Sequence, residues 1–251
     1  RQTKDHVIAA PVGRDHTAYI GSRDRHLYAV DTGKGTARWS FEAADRIEGA
    51  AALSHELVIV GTLNGTVHAL DISSGEQRWK TSLASAIRSG CAIRGDALYA
   101  GTRGGLLACL EVASGEAVWR REARGEISAS VAVDERVVVA GCWDGHIAAL
   151  DAMTGDEVWR YKTQAPVSSS PCIGDGVAYC GSDDNSLYAL TLADGHLLWK
   201  RALPGHIRSA AAVGRDLVIF GCVDGRCYAP SREAGDIVWR TPPVDEIPAS
   251  A

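Results

Sequence analysis

A tryptophan recurs at every fortieth residue of this chain: Trp39, Trp79, Trp119, Trp159, Trp199 and Trp239. A glycine stands four residues before each one, at Gly35, Gly75, Gly115, Gly155, Gly195 and Gly235. A second glycine set keeps the same step, at Gly21, Gly61, Gly101, Gly141, Gly181 and Gly221. A period of this length that never slips implies a stacked repeat, in which each unit buries its apolar face on its neighbours. Any fold without a 40-residue structural unit is thereby excluded.

The segment 167–206 shows the unit best. VSSSPCI (167–173) reads as a first strand and VAYCG (177–181) as a second, with Gly174, Asp175 and Gly176 as the turn between them. SDDN (182–185) supplies hairpin residues, SLYAL (186–190) a third strand and LLWKRAL (197–203) a fourth. Apolar positions alternate at period two, and no helix-period stripe is present. Four short strands joined by Gly/Asp turns describe a β-propeller blade. The expected fold is therefore all-β: a single propeller domain (1–251) of four-stranded antiparallel blades in six 40-residue repeats, 7–46, 47–86, 87–126, 127–166, 167–206 and 207–246. The pairs Asn64-Gly65, Gly104-Gly105, Asp144-Gly145 and Asp224-Gly225 suggest type I′ turns between strands two and three. Residues 247–251 read as a first strand and 1–6 as the end of a fourth, so the alternative is a seven-bladed ring truncated at both ends. Each tryptophan is expected to dock structurally on the neighbouring blade.

Acidic residues outnumber basic ones, 31 to 26, and the net charge is −5. That balance offers no basic surface for nucleic acid. No apolar run reaches the ~18 residues of a membrane span. No signal peptide and no initiator methionine are visible. The seven cysteines (Cys91, Cys109, Cys142, Cys172, Cys180, Cys222, Cys227) form no C-x-x-C pair and fall mostly in apolar strand patterns. They read as buried free thiols in a reducing compartment, which gives a cytoplasmic expectation.

The segment ALDAMTGDEVW (149–159) resembles the tryptophan-docking motif of PQQ-type, quinoprotein-like propeller repeats, A-x-D-x-x-T-G-x-x-x-W. Partial copies stand at 69–79, 29–39 and 189–199, and the copy at 229–239 carries Pro230 and Ser231 where the pattern is broken. That last blade is expected to be the least regular. The segments 44–65, 104–119 and 221–225 are also similar to the C-terminal propeller of acyl-CoA-synthetase-like, amino-acid-activating enzymes related to aminoadipate-semialdehyde dehydrogenase. That resemblance implies an accessory propeller that contacts other domains of its polypeptide or a carrier protein.

The quinoprotein resemblance does not by itself imply quinone chemistry. Enzymes of that class hold the quinone over a vicinal disulfide, and this chain has no Cys-Cys pair. They also bind calcium or a lanthanide through Glu, Asn and Asp. The dense oxygen cluster here, Asp183-Asp184-Asn185, sits in a hairpin where such residues ordinarily make the turn. No cofactor, PQQ and calcium included, and no metal are expected, and no catalytic motif is recognisable. Whether the chain is an enzyme stays open at this point.

Binding residues are sought where the repeat departs from itself. In a propeller the first strands line the channel, and the loops after strands two and four share one face. The second position of each repeat is Ile8, Glu48, Arg88, Ser128, Ser168 and Arg208; the residue before each later repeat is Arg46, Ala86, Glu126, Pro166, His206 and Glu246. Trp143 breaks the tryptophan period, with Arg23, Leu63, Arg103, Asp183 and Val223 at its equivalents. The candidate binding set is Trp143, Arg88, Arg208, Glu48, Arg103 and His206. Arg88 and Arg208, three repeats apart, fit either a solvated rim whose charges pair across the ring or an anion or acidic-peptide site. The expected function is a non-catalytic protein-interaction scaffold, most closely an accessory domain of an amino-acid-activating enzyme. Alternatives are an outer-membrane-assembly scaffold, a ligand-sensor propeller and a PQQ-dependent oxidoreductase.

Overall fold

The computed structural model describes residue 3 and residues 5–243. Among them lie six four-stranded antiparallel sheets, each in sequential strand order: residues 12–42, 52–82, 92–122, 132–162, 172–202 and 212–240. No helix occurs among the described residues, and none is long and apolar enough to cross a membrane. The sheets follow the 40-residue period, and we number them as blades 1 to 6. The chain divides into two compact units, 1–122 with blades 1 to 3 and 123–250 with blades 4 to 6. The segments 1–6 and 247–251, read above as strand overhangs, and Glu246 lie at or outside the limits of the described residues.

Within each unit the core is made between successive blades. Leu98, Ala100, Ala108 and Leu110 of blade 3 pack on Ile59, Val67 and Ala69 of blade 2. Ala178, Cys180, Tyr188 and Leu190 of blade 5 pack in the same way on Val139, Ile147 and Ala149 of blade 4. The second glycine set makes this approach possible. A Cβ on Gly181 would stand 2.2 Å from Cγ2 of Ile207, the first residue of the next repeat. Ile207 is buried there, and its N–H donates to the Ser182 carbonyl at 3.3 Å.

The first tryptophan-linked glycine set turns the chain between strands three and four with positive φ, +71° at Gly195. Its bare Cα is also the floor on which the preceding blade's indole lies: a Cβ on Gly195 would be 2.7 Å from Trp159. The indole N–H then donates to a carbonyl 33 residues on, Trp159 to Leu192 and Trp199 to Arg232 at 2.8 Å. Trp79 makes the same bond to Val112 at 2.8 Å and Trp39 to Ile72 at 3.3 Å. Trp119 is buried as well, whereas Trp239 is 40% exposed. Blade 6 is the least extended of the six, its fourth strand shortened to Ile237–Arg240 after Pro230 and Ser231.

Two local expectations are corrected. The first strand of blade 5 is Cys172–Gly174 and does not start at Val167. The Ser169 hydroxyl takes the place of a backbone partner, accepting from Gly181 N–H and donating to Gly181 C=O, both at 2.8 Å. The hairpins between strands two and three are not type I′. Gly65, Gly105, Gly145 and Gly225 are left-handed, but Asn64, Gly104, Asp144 and Asp224 are not. The Gly65 N–H donates to Thr62 C=O at 3.0 Å, which is a tight turn followed by one left-handed residue. Two consecutive left-handed residues, the type I′ signature, occur instead between strands one and two, at Asp15-His16 and Asp175-Gly176.

A bulge marks every blade. The pairing of strands three and four slips by one residue just before the tryptophan, in all six sheets. The unpaired residues are Arg38, Arg78, Val118, Val158, Leu198 and Val238. A bulge re-aims the extra side chain. In blades 1 and 2 the re-aimed arginine reaches back to the aspartate that opens the turn, Arg38 to Asp31 at 2.7 Å and Arg78 to Asp71 at 2.6 Å.

Candidate functional site

In each unit the hairpins between strands two and three make a rim held by backbone bonds. The Leu63 N–H donates to Arg46 C=O at 3.0 Å, Trp143 to Glu126 at 3.0 Å and Asp183 to Pro166 at 2.9 Å. Each hairpin is thereby tied to the linker that leads into its own blade. Side chains at the first hairpin position and at the second repeat position are left facing one another.

In unit 1 this places Glu48 between two guanidiniums. Its side chain is 5% exposed, and its carboxylate accepts from Arg23 Nε at 2.8 Å and from Arg88 Nε at 3.1 Å. A carboxylate so deeply buried is tolerated because it is paired twice. Glu48 is therefore a structural clamp for Arg88. Arg103 is exposed, and its backbone N–H donates to Ala86 C=O at 2.8 Å.

In unit 2, Asp183 receives Arg208 through Nε and Nη2, both at 3.0 Å, a two-pronged pairing. That contact holds the Arg208 guanidinium pKa above its ordinary value. The Ser168 hydroxyl donates to the same carboxylate at 3.1 Å, and His206 Nδ1 lies 2.6 Å from the Asp183 carbonyl. The neighbouring Asp184 takes the Tyr188 hydroxyl and the Gln164 N–H, with Lys200 at 3.5 Å. The Asp183 and Asp184 carboxylates are thus engaged by protein groups, whereas the buried Asn185 Oδ1 has no hydrogen-bond partner among the described residues. No set of three or more His, Cys, Asp or Glu side chains among the described residues could hold a metal ion.

Trp143 differs from all of these. It stands 49% exposed, yet its indole N–H donates to the Ser128 hydroxyl at 2.7 Å. The ring is fixed in orientation while one broad apolar surface faces water.

Apart from Arg103, whose backbone N–H ties its hairpin to Ala86, the candidate residues fall into two classes. Glu48, Arg88, Arg208 and His206 belong to paired rim networks, and neither Arg88 nor Arg208 is presented as a bare cation for an anion. Trp143 alone presents a large unpaired apolar face. Arg23, Asp183 and Ser128, which complete these contacts, were missed as partners. They lie at the same two repeat positions that single out the others, and that shared periodicity was the available signal.

The sequence model of the family described as outer membrane protein assembly factor BamB matches residues 1–90, 63–166 and 103–246. The chain belongs to this family. Among solved structures, BamB from Moraxella catarrhalis is 24% identical, with 94% of this chain and 76% of that one covered at a TM-score of 0.82. The computationally designed Ika8 protein is 20% identical, with 97% and 76% covered at a TM-score of 0.88. These likenesses show the propeller fold. No curated protein matches the chain.

Proposed function

We propose that this BamB-family propeller is a protein-interaction scaffold and that the hairpin rim of unit 2, centred on Trp143, is its working surface. The observation that carries the reading is the exposed indole locked by Ser128. A rigid, half-exposed tryptophan offers large contact area at small entropic cost, as interface anchors do. The rim around it is pre-formed by the Asp183–Arg208 and backbone bonds, so binding orders little.

Two partner settings follow from different observations. The family match supports a role in outer-membrane protein assembly. The seven free thiols favour a reducing compartment and with it an accessory domain of an amino-acid-activating enzyme, where the partner is a carrier or adenylating domain. Replacing Trp143 by a photo-crosslinking amino acid in native cells separates them. The adduct expected is with an outer-membrane assembly component in the first setting and with a carrier or adenylating domain in the second. An equal adduct from the exposed turn residue Lys34, or none from position 143, would overturn the rim assignment. Trp143→Ala is expected to weaken a captured complex about tenfold or more.

A further inference from the structure

Asp31, Asp71 and Asp151 occupy one position in blades 1, 2 and 4. Each uses Oδ1 to hold the turn before strand four: Asp71 accepts from Ser73 and Ser74 N–H at 3.0 and 2.9 Å, Asp151 from Met153 and Thr154 at 2.9 and 2.8 Å. In blades 1 and 2 the other oxygen holds the arginine delivered by the bulge. In blade 4 the bulge delivers Val158 instead. Among the described residues, Asp151 forms no ion pair.

The substitution also changes what surrounds the carboxylate. Val158 lines a cleft of about 270 Å³ with Val137 of its own blade and Leu192 and Ala193 of blade 5, and Asp134, Arg136 and Asp151 line it as well. The corresponding cleft of blade 2 contains Arg78 itself, with Arg14, Glu56 and Asp96 beside it. The blade 4 cleft thus has an apolar floor, a carboxylate without its arginine, and a second charge, Arg136, that also forms no ion pair among the described residues.

We propose that this cleft takes an arginine of a partner protein's extended segment, seated on Asp151 as Arg38 and Arg78 are seated on Asp31 and Asp71. An aliphatic neighbour of that arginine packs on Val137, Val158 and Leu192, and Arg136 takes a carbonyl or carboxylate of the same segment. The occupant is argued from the repeat itself, which builds the seat and fills it in two blades. An exposed ion pair alone contributes little, so the apolar floor, which removes water from the pair, supplies much of the selectivity. The site lies at the opposite end of the second strand of blade 4 (Val137–Cys142) from Trp143, and it does not depend on the rim reading.

The test is to pan a random linear-peptide phage library on the whole chain and measure the selected peptides on three variants. Val158→Arg fills the seat in cis, with the geometry that blades 1 and 2 already fold around. Asp151→Asn keeps the turn-capping oxygen and removes the charge. Trp143→Ala reports on the rim alone. The expected result is enrichment of peptides carrying an arginine beside an aliphatic residue. Their affinity should fall about tenfold or more on Val158→Arg and on Asp151→Asn, and stay unchanged on Trp143→Ala. Peptides without a basic residue, binding to Val158→Arg or to Asp151→Asn as tight as to the unsubstituted chain, or no enrichment would each overturn the proposal.

Discussion

In blade 2 the bulge before the tryptophan presents Arg78 to Asp71, and the first hairpin residue is Leu63. In blade 4 the same bulge presents Val158 to open space, and the hairpin residue is the half-exposed Trp143. The strands, the left-handed turn glycine, the docked indole and the slip in register are common to both. What differs is confined to side chains that the frame displays without using. The lesson is that this repeat separates support from display: the turn glycine and the docking tryptophan recur in every repeat, while bulge and hairpin positions are free to specialise. Predictions that break the frame should therefore act on both blades alike, and predictions aimed at displayed positions should act on one.

The largest effects are expected at the indoles. Trp159→Ala removes a ring buried on Gly195 together with its bond to Leu192, and Trp79→Ala removes the corresponding ring and its bond to Val112. Each should lower unfolding free energy by about 3–5 kcal/mol in urea titrations. The loss at Trp159, the more buried of the two, should be the larger. A loss under about 1 kcal/mol at either site would remove the docking argument for that blade.

A smaller effect separates backbone strain from overlap. Gly195→Ala meets a left-handed φ of +71° and a Trp159 ring 2.7 Å from the new carbon; Gly35→Ala meets φ +66° and nothing within 4 Å. The second should show the strain alone, about 1–2 kcal/mol. The first should be worse by about 2 kcal/mol, because the indole must lift from its seat. Equal midpoints in thermal unfolding would mean that the glycines are kept for φ only.

Much of the frame was legible in the chain because it is written six times. The tryptophans and both glycine sets locate every blade. The glycine at position 181 is readable as a close approach once Ile207 is seen to open the next repeat. The local details were less legible for a physical reason. Asn64-Gly65 carries the residues of two turn types, and the choice between them depends on Thr62 and Thr66, whose side chains and backbone close the hairpin. The first strand was read too long because VSSSPCI has strand composition, while a serine hydroxyl, not a neighbouring strand, completes its start. The site was legible in one respect, the departure of Trp143 from the repeat. The partners were not: a rim of paired charges was readable, but only geometry shows that Glu48 holds Arg23 and Arg88 and that Asp183 holds Arg208. Val158 was invisible as a site, since a valine before a tryptophan in a strand is unremarkable until a bulge turns it toward Asp151.

The smallest expected effect compares blade 2 with blade 5. In blade 5 the Tyr188 hydroxyl donates to Asp184, a pairing of ordinary polarity at neutral pH. Blade 2 has His68 at that position, buried, with Nδ1 2.8 Å from Gln77 Oε1 and its ring 5.4 Å from Phe41. The glutamine oxygen accepts the Nδ1 proton, so Nε2 is the bare nitrogen, and no partner reaches it. Burial pushes the His68 pKa below its ordinary 6.5; the Gln77 bond opposes this, and Lys80 adds to it. A folded pKa below the unfolded one means that the unfolded chain binds the proton more readily. The stabilising effect of a neutral His68 is complete above about pH 6.5 and is lost as the pH falls below it. His68→Phe should flatten that part of the stability curve, even if the lost Gln77 bond lowers stability at every pH. Urea titrations of both chains at about pH 7.5 and about pH 5.5 give the comparison. Parallel losses on acidification would assign the acid sensitivity to other groups and leave blade 2 as pH-indifferent as blade 5.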